Sequence, residues 1–228
     1  QGAEMHELDS LLTILVHRAG FNPPDYVVML LFVMAGTLAF FWLGTRRLSV
    51  DKPGLIQQVL ELLTETVGKF LDDIIGHDGR KFMAPIGTFA VLILISNLMG
   101  LVPGLMPPTG NIIVTVSLAL SSFAVYNFYG IKAQGLGYIK HFMGPILVLA
   151  PLFFPIEIIS HLARPLSLSI RLFGNIFGDH QVSNVFVHLV PFAVPVPFIL
   201  LGLLVAFIQT LVFSLLSMIY IAEAVEHH

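Results

Sequence analysis

The 228-residue sequence has no cysteine, a single tryptophan, and only 11% Asp, Glu, Lys and Arg together. Without cysteine there is no disulfide framework, no thiolate zinc site and no iron–sulfur ligation, and thiols report nothing about redox compartment. Soluble domains carry roughly 25% charged residues, so this scarcity, beside 56% hydrophobic residues, excludes an ordinary water-soluble fold. There is no Gly-x-x-x-x-Gly-Lys loop to cradle a nucleotide phosphate. The start, Gln1-Gly2-Ala3-Glu4, has neither the basic n-region nor the apolar core of a signal peptide. Opening on glutamine suggests trimming or processing, and the first apolar span is expected to act as its own insertion signal.

What the chain has instead is long apolar runs. Residues 26–45 and 82–131 carry no charge, and residues 181–222 contain no Asp, Glu, Lys or Arg. A spanning helix needs about 20 apolar residues, so at least four or five membrane helices are expected. The chain reads as one all-α, polytopic membrane domain over residues 1–228. Residues 1–24 form an external N-terminal segment, and 25–45 a first, outer span, entered through Asn22-Pro23-Pro24 and left through Thr45-Arg46-Arg47. In 53–75, Leu55, Ile56, Val59, Leu63, Val67, Phe70 and Ile74 recur at helical spacing, while Gln58, Glu61, Glu65, Lys69 and Asp72 take other faces. That pattern predicts an amphipathic helix in the plane of the interface. Residues 82–130 read as a helical hairpin, with spans at 82–102 and 111–129 parted by a Pro- and Gly-rich loop.

Residues 145–228 read as two long, strongly tilted helices packed as a hairpin. A helix over 145–188 would be about 65 Å long at 1.5 Å per residue, twice the hydrocarbon thickness. It must tilt steeply or break, and Pro155 and Pro165 offer kinks. Pro191, Pro195 and Pro197 then force a turn before a last helix at 198–225. Of the eleven Lys and Arg residues, Arg46, Arg47, Lys52, Lys69, Arg80, Lys81, Lys132 and Lys140 fall in two inter-span loops. Basic loops stay in the cytoplasm, which predicts an outer N-terminus, with Glu4, Glu7 and Asp9, and a cytoplasmic C-terminus. Arg18, Arg164 and Arg171 are not placed by this rule.

Within the fourth helix, Glu157, His161, Arg164, Arg171, Asn175 and Asp179 step by four, three, seven, four and four residues, which keeps them on one face. A charge at the bilayer centre costs about 2.5–3.5 kcal/mol on insertion scales, so the stripe must face protein or water. An internal ion-pair network is the plainest explanation. Spacing argues against it for Arg171: Glu157 is about 21 Å away along the axis and Asp179 about 12 Å. On the last helix Gln209 is neutral and Glu223 lies near the far end. The expected partner of Arg171 is therefore a carboxylate on another chain. Arginine does not release its proton, so Arg171 would act as a fixed charge that lowers the pKa of an arriving acid and blocks direct leakage between two water-filled passages. Candidate relay or lining groups are Asn175, Asp179, His180 and Gln209 on the outer side and Glu157, His161 and Ser167 on the inner side.

The run Pro165-Leu166-Ser167-Leu168-Ser169-Ile170-Arg171-Leu172-Phe173-Gly174-Asn175-Ile176-Phe177-Gly178 resembles the signature helix of subunit a of bacterial F-type ATP synthases. Asn97-Leu98-Met99-Gly100-Leu101-Val102-Pro103, Gln209-Thr210-Leu211-Val212-Phe213 and the tail at 220–228 extend the resemblance over nearly the whole chain. The resemblance implies a non-catalytic stator channel subunit. Arg171 would face a ring of c subunits whose membrane carboxylate is the missing partner, with Gln209 as the last-helix glutamine near it. It further implies that Asn175 and Gln209 lie on the outer access path, and that Glu157 and Ser167 match positions of the inner one. His180 stands where many bacterial members have glutamate, and Gly202 where several have an ionisable partner, so Asp179 and His180 share the outer relay as alternatives. Partners implied are the c-ring, the peripheral-stalk subunit b, the remaining ATP synthase subunits and membrane lipid, in a bacterial inner membrane. No cofactor, metal or nucleic acid is expected.

Gly174 and Gly178 form a small-xxx-small step that permits close helix approach and would let the ring come near Arg171. His188 reads as a hydrogen-bonded or interfacial residue, and His6, His17, His77 and His141 as loop or end residues. Arg164 is open between steadying the kink at Pro165, meeting lipid headgroups and touching the proton path. A secondary transporter would show an internal repeat with paired broken helices, and a haem subunit would show facing axial His pairs; neither pattern is present. The choice of H⁺ or Na⁺ and the ring size rest on other chains.

Overall fold

A computed structural model describes residues 13, 23–46, 49, 53–76, 78–102, 105–135, 150–189 and 195–225. These form six α-helices, and among the described residues there is no strand. They are α1 (Asp25–Arg46), α2 (Leu55–Ile75), α3 (Met83–Met99), α4 (Ile112–Gln134), α5 (Ala150–Leu189) and α6 (Pro195–Val225). Short 3₁₀ turns at Gly79–Phe82 and Pro108–Gly110 precede α3 and α4.

Local sequence accounts for most boundaries. Asp25 opens α1 and Arg46 closes it, each complementing the helix dipole. The Asn111 side chain caps α4 by accepting from the Ile113 N–H at 2.9 Å, and Gly135, at φ 57°, ends it. After α2 the chain folds back tightly through Gly76, at φ 86°. A Cβ at Gly79 would lie 2.3 Å from the Leu71 carbonyl oxygen. Only glycine lets the turn pass under the end of α2 and launch α3.

The helices alternate in direction. At one end of the bundle, Val67 and Leu71 of α2 pack with Phe82, Ile86, Tyr126, Met218, Ile221 and Ala224. In the middle, Ile93, Val114, Leu118, Leu168, Leu172 and Phe213 join α3, α4, α5 and α6. Towards the other end Met29 and Val33 of α1 meet Met99 of α3. Between membrane helices lipid is as apolar as leucine, so close approach and polar contacts hold the bundle. Gly44 of α1 is such a contact, since a Cβ there would lie 1.9 Å from Leu60 Cδ1 of α2. The Ser122 and Ser217 hydroxyls pair at 2.8 Å between α4 and α6.

Four helices are long and apolar enough to cross a membrane: Asp25–Arg46, Gly79–Met99, Ile112–Gln134 and Ile199–Val225. The chain is thus a polytopic helical membrane protein. α5, the helix of the polar stripe, is not among the four, in keeping with the charges of Glu157, Arg164, Arg171 and Asp179 along it. It stays helical through both Pro155 and Pro165. At 40 residues it is about 60 Å long, so of the two expectations, tilt or break, the helix does not break. α6 begins at Pro195 rather than 198, because prolines in a first turn remove no intrahelical bond. α3 stops at Met99, short of 102, and α4 runs on to Gln134, past 129.

α2 is amphipathic as expected, and of its apolar face Val67 is in the core, with Leu63, Phe70 and Ile74 packed against it. Gln57, Leu60, Val67, Gly68 and Leu71 are buried against the bundle, whereas Leu55, Ile56, Val59 and Leu62 are exposed. Its apolar arc is wider than its contact with the protein. Exposed pairs line this end: Glu65 with Lys69 at 2.8 Å, Asp72 with Arg80 at 2.9 Å and Asp78 with Lys81 at 2.6 Å. The hydrogen bond and positive charge of Lys69 hold the Glu65 carboxyl below its usual range. Being solvent-exposed, such pairs add little stability.

Candidate functional site

α5 brings its polar side chains against two neighbours, α4 and α6. In its first half, the His161 Nε2 lies 3.0 Å from Asn127 Oδ1 and 3.4 Å from the Tyr126 hydroxyl, with its ring edge-on to Phe123. Glu157 sits one turn earlier and is partly buried. Arg164 Nη2 donates to Glu223 Oε1 of α6 at 2.6 Å, and its guanidinium lies 5.1 Å from the Tyr220 ring centre. Of the roles open to Arg164, this is an interhelical clamp. The ion-pair explanation of the stripe therefore holds for Arg164, and Glu223 is engaged there.

Arg171 differs from Arg164, the other arginine of the stripe. Its side chain is exposed, and among the described residues it forms no ion pair. Ser167, one turn before it, is also exposed. On the same helix Leu166, Ile170 and Phe177 are exposed, as are Leu204, Ile208 and Leu211 on α6. An unpaired guanidinium beside apolar surface is costly in lipid.

One turn beyond Arg171 a second polar cluster opens. Asn175 Nδ2 donates to Gln209 Oε1 at 2.6 Å, and Gln209 is only 2% exposed. Among the described residues the Gln209 Nε2 donor has no hydrogen-bond partner. Both amides line a cleft of about 390 Å³ between α5 and α6, together with Gly174, Gly178 and Asp179. A Cβ at Gly202 would come within 2.9 Å of Asp179 Oδ2 and 2.7 Å of Leu101 Cδ2. The bare backbone at 202 is thus the space that the Asp179 carboxylate uses. Of the two outer candidates, Asp179 lines the cleft, and His180 is on α5 with its side chain outside the described residues. A Cβ at Gly174 or Gly178 would meet nothing within 4 Å. Neither glycine is held by packing within the described chain.

Sequence reasoning missed three polar contacts. Asn127 and Tyr126 receive His161, Glu223 receives Arg164, and Thr109 Oγ1 donates to the buried Asn97 Oδ1 at 2.9 Å. Polar residues inside otherwise charge-free runs were the available signal. Among the described residues no three of His, Asp and Glu converge on a metal-binding geometry. His77, His141, Lys140 and most of the acidic N-terminal segment lie outside the described residues.

Residues 27–222 match the family model described as ATP synthase A chain. The chain belongs to the ATP synthase A chain family. It is 50% identical over 181 residues to "ATP synthase subunit a 1" of Syntrophotalea carbinolica, covering 79% of this chain and 77% of that one. To "ATP synthase subunit a" of Citrifermentans bemidjiense it is 44% identical over 215 residues, 93% of each. A more distant relative, from Sulfurihydrogenibium, is 40% identical over 203 residues, 89% of this chain and 98% of that one. The A chain match begins within α1 and ends within α6, so it takes in Arg171, the α5–α6 cleft and the first polar cluster up to but not including Glu223.

Proposed function

We propose that this chain is the stator subunit a of a bacterial ATP synthase membrane sector, and that it conducts protons to and from the carboxylates of a rotating c-ring. The observation that carries the reading is the setting of Arg171: exposed, unpaired within the described chain, and lying on one helix between two polar clusters. Asn175, Asp179, Gln209 and His180 form the outer access path. Glu157, His161 and Ser167 form the inner one. Arg171 separates the two.

The chemistry follows from a charge that cannot be titrated. A ring carboxylate crosses lipid only when protonated, because the ionised form is too costly there. Within about 4–6 Å of Arg171 its pKa falls by about one to three units, so the acid releases its proton on arrival and regains one on the other side. Arg171 itself carries no proton across, and its charge repels a proton hopping directly between the two passages. One proton crossing 100 mV is worth about 2.3 kcal/mol, which the offset of the passages converts into rotation. Open space at Gly174 and Gly178 lets the ring approach this segment. Nucleotide chemistry then belongs to other subunits, with subunit b and the rest of the complex holding the stator still.

The test is Arg171→Ala in the complete complex reconstituted into vesicles. ATP-driven proton pumping is expected to disappear, and coupled pumping that survives would overturn the mechanism. Gln209→Leu removes the hydrogen bond to Asn175, an interhelical bond of about 0.6 kcal/mol. It is expected to slow pumping without abolishing it.

A further inference from the structure

A second polar-rimmed cleft lies away from Arg171. At the end of the bundle where α2, α4 and α6 terminate and α3 begins, a space of about 810 Å³ opens between them. Phe82, Tyr129, Ile75 and Val225 make an apolar wall, and Lys81, Lys132 and Asp78 stand among the lining residues. Phe82 and Tyr129 meet edge to face at 4.8 Å, which fixes that wall. Lys81 pairs with Asp78. Lys132, in the last turn of α4, has no ion pair among the described residues.

We propose that this cleft binds an anionic phospholipid, with the phosphate between Lys132 and Lys81 and the glycerol and first methylenes against Phe82, Tyr129, Ile75 and Val225. Two ammonium groups against one carboxylate leave one net positive charge in the lining. A net monoanionic lipid such as phosphatidylglycerol matches it, whereas a zwitterionic one brings no net charge. The volume falls in the range of small-ligand sites. Its setting suits a lipid, since basic clefts between helix ends collect acidic headgroups. Nothing in the proposal uses the proton path, so its failure would leave the role of Arg171 untouched.

The test places the full-length chain in nanodiscs made of equal parts phosphatidylglycerol and phosphatidylcholine, and native mass spectrometry counts the lipids retained. Phosphatidylglycerol is expected to be retained in preference. The double variant Lys81→Gln, Lys132→Gln is expected to lower that preference about 25-fold, some fivefold for each lysine, the equivalent of ~1 kcal/mol apiece. Lys69→Gln, outside the cleft, serves as the control and should change nothing. An unaltered preference in the double variant overturns the proposal. A second measurement needs no variant: phosphatidylglycerol bearing a photoreactive group near its glycerol should label peptides containing Tyr129 or Val225. Labelling confined to peptides that contain none of Ile75, Phe82, Tyr129 and Val225 overturns the site.

Discussion

At position 202 the missing side chain governs its neighbour. Because a Cβ there would press on Asp179 Oδ2 and Leu101 Cδ2, the carboxylate and the glycine are two halves of one site. Asp179→Asn keeps the shape and removes the charge, so it is expected to slow passive proton conductance severalfold; an unchanged rate would exclude Asp179 from the outer path. Gly202→Val should give a similar loss by displacing the carboxylate, with the helix content of the purified chain retained. Asn175 and Gln209 were legible in the sequence because an amide in an otherwise apolar helix stands out. That Asp179 lines the cleft was not, because it depends on which face of α6 meets α5. Sequence spacing fixes register within a helix and says nothing of register between two.

The α5–α6 pair shows the same limit one scale up. Arg164 and Glu223 are 59 residues apart, and only the antiparallel packing of the two helices joins them. The guanidinium is 15% exposed and the carboxylate 41%. Removing the acid therefore strands a mostly buried cation, whereas removing the arginine leaves a carboxylate that water reaches. Glu223→Ala is expected to lower the melting temperature of the purified chain more than Arg164→Ala does. The stranded charge costs about 1–3 kcal/mol, below the full penalty of a wholly buried pair. Equal shifts would mean that the clamp is of the weak surface kind. Element type and approximate position followed from hydropathy alone for α1, α3, α4 and α6. The course of α5 through two prolines did not, because in a membrane helix the groups a proline leaves unpaired are satisfied by neighbours that the local sequence does not name.

For the whole molecule, the lack of cysteine makes orientation directly measurable, since any introduced thiol is unique. Met106, in the loop between α3 and α4, and Asp73, late in α2, are both exposed and belong to opposite ends of the bundle. With the N-terminus outside, Met106→Cys should react with a membrane-impermeant maleimide added to whole cells. Asp73→Cys should react only in inverted vesicles, and the reverse pattern would invert the topology. The charge asymmetry that leads to this expectation is a property of the entire chain and was legible from the start. By contrast, the two clefts, one between α5 and α6 and one among the ends of α2, α4 and α6, exist only once all the helices are assembled.

Mechanically, the unbroken course of α5 makes it a beam rather than a chain of hinged segments. It is pinned to α4 at His161 and to α6 at Arg164 and again at Asn175. Arg171 lies between the last two pins, seven residues from one and four from the other. A sideways load on its guanidinium is therefore shared with two other helices at once.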